Sequence, residues 1–206
     1  MTDLKCADVQ RALNDQQDKV TSLLCDLIRV PSTVGGEAPA MELLADRLQG
    51  LADVVEFVPV TEDLRKDPDF SYPVAGVHYG DRPNLRVVKK GSGKGKSLLF
   101  NTHLDVVPPS SMQQRPYDPQ LVDGKIYGRG ACDAKGQVAC AYGLLAALEA
   151  LNITLAGDLI FHFVIEEEVG GNGTVAMVRH GDTADGCVVL EPSDFVVLPQ
   201  IRGAVW

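Results

Sequence analysis

Apolar residues in the first fifty positions recur at helical spacing. Val20, Leu23, Leu24, Leu27 and Ile28 share one face of a helix predicted over residues 16–29, which Asn14 or Asp15 can cap and Pro31 ends. Met41, Leu44, Ala45 and Leu48 mark a second amphipathic helix over 39–51, with a proline in its first turn. The period then shortens, and residues 54–58 read as a strand. Residues 84–88 and 97–101 are strand-like runs joined by a Gly/Lys turn, for which a hairpin is the simplest arrangement. Leu121-Val122 and Lys125-Ile126-Tyr127 flank Asp123-Gly124, the signal for a tight two-residue hairpin. Residues 137–151, rich in Ala and Leu, predict a buried helix that leads into a continuous apolar strand over 158–165. A helix over 172–179 and a short apolar strand over 187–190 follow.

Residues 61–83 break the pattern: three prolines, two glycines and no period predict a long irregular segment near a functional edge. Elsewhere, helices alternate with strands that are apolar on both faces. That alternation predicts an α/β fold, a three-layer sandwich whose mostly parallel mixed sheet is covered by helices on both sides.

Composition narrows the function. With 206 residues and 45% hydrophobic content, the chain can bury a sizeable core. Its 28 acidic residues outnumber 19 basic ones, which argues against a phosphate-backbone partner, and its one basic cluster, Lys89 to Lys96, reads as a solvated turn. The N-terminus has no apolar signal core, and no run approaches the ~18 residues of a membrane span, so the expectation is a cytoplasmic protein with no membrane or nucleic-acid partner. Five cysteines without a C-x-x-C pair suggest neither a disulfide framework nor a thiolate metal site.

Candidate chemistry gathers at predicted strand ends, where open α/β sheets bind ligands. Residues 97–101 run into His103 and Asp105, 158–165 into Glu166-Glu167-Glu168, and 187–190 into Glu191. A glycine-rich loop, Gly128-Arg129-Gly130, delivers Asp133 just before the long helix. Adjacent carboxylates at the mouth of a buried strand repel unless a positive charge lies opposite, so a metal site is expected. One imidazole with several carboxylates suits zinc, manganese or cobalt better than calcium. The two-residue step from His103 to Asp105 lets the acid orient the imidazole; a hydrogen-bonded turn would explain the pair equally well if it stood alone. Glu166 is the weakest member of the set, open between a place in the site and a role as a solvated acid or helix-terminus partner.

Read together, His103-Leu104-Asp105-Val106-Val107-Pro108, Tyr127-Gly128-Arg129-Gly130-x-x-Asp133-x-Lys135-Gly136, Glu166-Glu167-Glu168-x-Gly170-Gly171 and Glu191-Pro192 resemble the acetylornithine deacetylase / succinyl-diaminopimelate desuccinylase family. Aminoacylases, related zinc carboxypeptidases and dipeptidases share the pattern. The resemblance implies a two-zinc amidohydrolase, with cobalt or manganese as alternatives. It acts on an N-acyl amino acid or small peptide, and the full-length form is a homodimer. By position, His103 would bind one metal, Asp133 would bridge both, and Glu168 and Glu191 would supply further ligands. Asp105 would orient His103 and Glu167 would be the general base. Full family members also carry a later metal-binding His and an inserted lid. The expectation is therefore that residues 1–200 are the N-terminal portion of a metal-binding catalytic domain, incomplete at its C-terminal end, with 201–206 starting a linker towards the lid.

Other features carry weaker chemistry. Gly91 to Ser97 imitates a phosphate-binding loop, but Lys90 stands where that motif needs Gly, and Ser97 leads into a strand instead of a helix. His162 is expected to be packed and hydrogen-bonded, His180 to end a helix and Cys132 to be uninvolved; His78, in the irregular segment, is left open. The rival to an enzyme is a non-catalytic homologue acting as a binding module.

Overall fold

The computed structural model describes residues 5–71, 74–194 and 196. The expected linker at 201–206 lies outside the described residues. Helices α1 (Cys6–Asp15), α2 (Gln17–Arg29) and α3 (Ala38–Leu48) open the chain. Strands β1 (Val54–Val58), β2 (Asn84–Lys89), β3 (Leu98–His103), β4 (Gln120–Val122) and β5 (Lys125–Tyr127) follow. Helix α4 (Lys135–Ala150), strand β6 (Leu159–Val164), helix α5 (Asn172–His180) and strand β7 (Gly186–Val189) complete it. Helix α1 was not predicted; it joins α2 directly through Gln16, so Asn14 and Asp15 cap no helix start.

Five strands form one sheet in the order β1-β2-β6-β3-β7, and β4-β5 form a separate hairpin. The first two pairings of the sheet are antiparallel and the last two parallel, so the parallel character is confined to β6, β3 and β7. Central β6 shows why helices cover both sides. Phe161 and Phe163 face a core built with α2, α3 and α4, whereas the alternate residue Val164 packs with Met177 of α5 and Val58. Each fully buried phenylalanine contributes about 1.5–3 kcal/mol of burial free energy.

The hairpin expected between residues 84–88 and 97–101 is not formed. β6 lies between the two strands: Phe163 pairs antiparallel with Leu85 and parallel with Thr102. A strand buried on both faces gains most at the centre of a sheet, and the Gly-rich segment is long enough to pass over its start. There Ser92 N–H donates to the Leu155 carbonyl and Gly95 N–H to Ala156, and a Cβ on Gly91 would lie 2.4 Å from the Gly157 main chain. The predicted Asp123-Gly124 turn does close β4 onto β5, with φ of 49° and 74° at its two central residues. No helix among the described residues is long and apolar enough to cross a membrane.

Candidate metal centre

His103 is the last residue of β3, and its ring is fully buried. Its Nδ1 lies 2.9 Å from the main-chain oxygen of Asp105, and the Asp105 carboxylate is 3.4 Å from the same nitrogen. Hydrogen-bonding to a carbonyl keeps a proton on Nδ1, so Nε2 is the nitrogen turned outward, able to bind a cation or, protonated, to donate to a carboxylate. Three carboxylates meet Nε2: Asp133 at 2.9 Å, Glu167 at 3.7 Å and Glu191 at 3.8 Å. Ligand atoms of His103, Asp133 and Glu168 all lie within 4.8 Å of one another, as do those of His103, Glu167 and Glu191.

Each acid is delivered by a separate element. Asp133 sits in the loop before α4, whose turn at Gly130 has φ +82° and no space for a Cβ, because Val106 Cγ1 would be 2.8 Å away. Buried Lys135 anchors that loop, its Nζ donating to the carbonyls of Leu27 at 2.8 Å and Val30 at 2.9 Å, at the end of α2. The His103–Asp105 segment is tied to the same region: Ser32 Oγ donates to the Leu104 carbonyl at 2.6 Å and Val106 N–H to the Ser32 carbonyl at 3.0 Å. Glu191 follows β7, where Leu190 N–H donates to the Asn101 carbonyl at 2.8 Å and so continues the pairing towards His103.

Glu167 and Glu168 open a 3-10 turn, Glu167–Val169. Both their N–H groups donate to the buried carboxylate of Asp105, at 3.1 and 3.0 Å, so this acid caps the turn as well as flanking His103. Glu166, undecided from sequence, is buried and belongs to neither group of candidate ligands around His103. Tyr79 Oη (2.7 Å), Arg82 Nη1 (2.8 Å) and Asn172 Nδ2 (3.1 Å) donate to its carboxylate.

The electrostatics fit a divalent cation. Burial lowers the His103 pKa, yet Asp105, Glu167 and Glu191 outweigh it and push the value up to about 10. Burial, reinforced by neighbouring acids, raises Glu191 to about 7 and shifts Glu167 and Glu168 upward. The cluster thus draws positive charge, and its imidazole-plus-carboxylate set, without thiolate, is one that zinc, manganese and cobalt accept.

The structure therefore brings together His103, Asp105, Asp133, Glu167, Glu168 and Glu191. Sequence reasoning missed Glu37 and Arg82, and it gave Ser32 and Lys135 no role. For Arg82 the available signal was an Arg inside Gly80-Asp81-Arg82-Pro83, immediately before a buried strand. His162 is packed as expected, 4% exposed, with Nε2 2.9 Å from Asp182. His180 ends α5, while His78 and Cys132 are exposed.

The profile of peptidase family M20/M25/M40 matches residues 99–201. Succinyl-diaminopimelate desuccinylase of Gluconacetobacter diazotrophicus is 32% identical over 190 residues, which cover 89% of this chain and 45% of that protein. The enzyme of the same name from Methylobacterium radiotolerans is 34% identical over 185 residues, 86% of this chain and 43% of its own. The chain therefore spans less than half the length of these curated relatives. Human carnosine dipeptidase 1 shares the fold, with a TM-score of 0.71, 24% identity, and coverage of 88% of this chain and 40% of that one.

Proposed function

Because the chain belongs to peptidase family M20/M25/M40, we propose that it carries the greater part of the hydrolytic centre of a metal-dependent amidohydrolase acting on N-acyl amino acids. The observation that carries this reading is the convergence of Asp133, Glu167 and Glu191 on the outward Nε2 of a buried His103, with Glu168 in the same cluster. His103, Asp133, Glu168 and Glu191 would hold two divalent cations, zinc above cobalt or manganese. When bound, the cations would polarise the amide carbonyl and acidify a water molecule.

The chain's own groups do the rest. Glu167 accepts a proton from the attacking water and returns it to the leaving nitrogen as the C–N bond breaks. Asp105 holds the backbone from which Glu167 projects, and the Asp105 main-chain carbonyl holds the tautomer of His103. Sequence similarity to two desuccinylases favours an acyl substrate over a dipeptide. In this reading residues 1–200 are the N-terminal portion of a catalytic domain whose full-length form is a homodimer.

The test uses full-length protein and a panel of N-succinyl, N-acetyl and dipeptide substrates. Glu167→Gln is expected to retain two metals per chain by elemental analysis while hydrolysis collapses. Undiminished turnover would remove Glu167 as the base, and hydrolysis of dipeptides alone would overturn the acyl specificity.

A further inference from the structure

Behind the metal-ligating cluster lies a buried chain of charge that the proposed reaction does not use. Arg82 is 3% exposed and grips two carboxylates at once. Its Nε and Nη2 donate to Glu37, at 2.8 and 2.5 Å, in a two-point fork, while Nη1 donates to Glu166 at 2.8 Å. Glu37 is fully buried at the start of α3 and also accepts the Gly35 N–H at 2.9 Å. On the far side, Tyr79 Oη and Asn172 Nδ2 complete the donors to Glu166, and Asn172 Oδ1 accepts the Ser71 N–H at 2.8 Å.

This assembly ends on a strained residue. Glu166 has φ 60° and ψ 27°, a left-handed conformation that costs free energy for any side chain with a Cβ. A residue stays there only when its surroundings over-determine it. Here three donors hold the carboxylate, and the Gly171 N–H donates to the Glu166 carbonyl at 2.7 Å. The reversal at Glu166 turns the chain out of β6 and presents the N–H groups of Glu167 and Glu168 to Asp105. A net-negative group of two acids and one Arg is a poor source of stability when buried, which leaves geometry as its stronger contribution.

We propose that Arg82, braced by Glu37, is a positioning residue for hydrolysis: through Glu166 it fixes the backbone reversal that aims Glu167 at the metal-ligating cluster. This rests on the assignment of Glu167 as base. It also gives the end of the 61–83 segment a purpose, since Tyr79 and Arg82 both donate to Glu166.

The test is Arg82→Lys in the full-length protein, because an ammonium cannot supply the fork to Glu37 and a separate bond to Glu166 together. The expected result is a kcat lower by about 100-fold with KM within about threefold, since a small misplacement of a catalytic group has that effect. Metal content should be unchanged. Hydrogen exchange at the Glu167 and Glu168 amides of the metal-free protein should accelerate. The decisive comparison is the double variant. If Arg82 acts through Glu167, adding Arg82→Lys to Glu167→Gln lowers kcat no further than Glu167→Gln alone; a structural role elsewhere gives multiplied losses. Should Arg82→Lys not fold, Tyr79→Phe removes one donor to Glu166 and is expected to lower kcat about fivefold, the worth of one hydrogen bond, again with no further loss beside Glu167→Gln. Unchanged kcat and amide exchange, or multiplied losses, overturn the proposal. Full activity of Glu167→Gln would instead overturn the choice of base, and the exchange measurement would still decide whether Arg82 holds the turn.

Discussion

At His103 a single main-chain contact has wide consequences. Its Nδ1 is held by the carbonyl of Asp105, a group that no side-chain substitution removes. The Asp105 carboxylate, 3.4 Å from the same nitrogen, accepts the two N–H groups that begin the Glu167–Val169 turn. Two losses therefore separate. His103→Ala is expected to lower metal stoichiometry, read by elemental analysis. Asp105→Ala is expected to leave stoichiometry nearly unchanged while hydrolysis falls, and to destabilise the fold by about 2 kcal/mol or more in urea unfolding, because two amides lose their acceptor. Metal loss in Asp105→Ala equal to that in His103→Ala would show that the carboxylate, not the carbonyl, holds the imidazole.

Among the elements, the end of α2 is where the loop carrying Asp133 and the segment carrying His103 are both fastened. Lys135 reaches it from the first turn of α4 and donates to two carbonyls, with no carboxylate partner among the described residues, a fully buried ammonium. Lys135→Met fills the same volume but leaves both carbonyls unpaired; a loss of about 1–3 kcal/mol is expected in urea unfolding. On the opposite face of the sheet, His162 of β6 has its pKa lowered by burial, with Arg86 and His180 acting in the same direction against the hydrogen bond to Asp182. The folded chain thus binds this proton less readily than the unfolded one. The stability contributed by neutral His162 is full above about pH 6.5 and is lost as pH falls below it. An NMR titration of the His162 ring should give a midpoint below 6.5, and a midpoint above it would refute this account. These elements also show where sequence was readable. His103, Asp133, Glu167 and Glu168 were legible because each polar group interrupts an apolar or glycine-rich pattern at a strand or loop end, whereas the place of Glu166 was not. Arg82 was not, because its partners Glu37 and Glu166 lie 45 and 84 residues away and no local period connects them. The false hairpin had the same origin: a turn signal reports the turn, not which later strand enters beside it.

Over the whole molecule, four carboxylates and an imidazole crowd one end of a five-stranded sheet in a chain of net charge −9. Cation binding to such a cluster should be felt as global stability. In the full-length protein, zinc at 100 times its dissociation constant is expected to add about 2.7 kcal/mol, read as a higher Tm that a chelator reverses. A Tm indifferent to both zinc and chelator would separate the cluster from metal binding. The central place of β6 has a consequence for biosynthesis. β2 and β3 leave the ribosome first, with a vacant slot between them that only residues 159–164 can fill. From His103 to Leu159 takes roughly 3–11 s of translation at about 5–20 residues per second, and for that time the two strand edges that flank the slot stand open in the nascent chain, as does the outer edge of β3 that β7 later covers. Chaperone binding during elongation should therefore peak before β6 emerges and fall once it inserts.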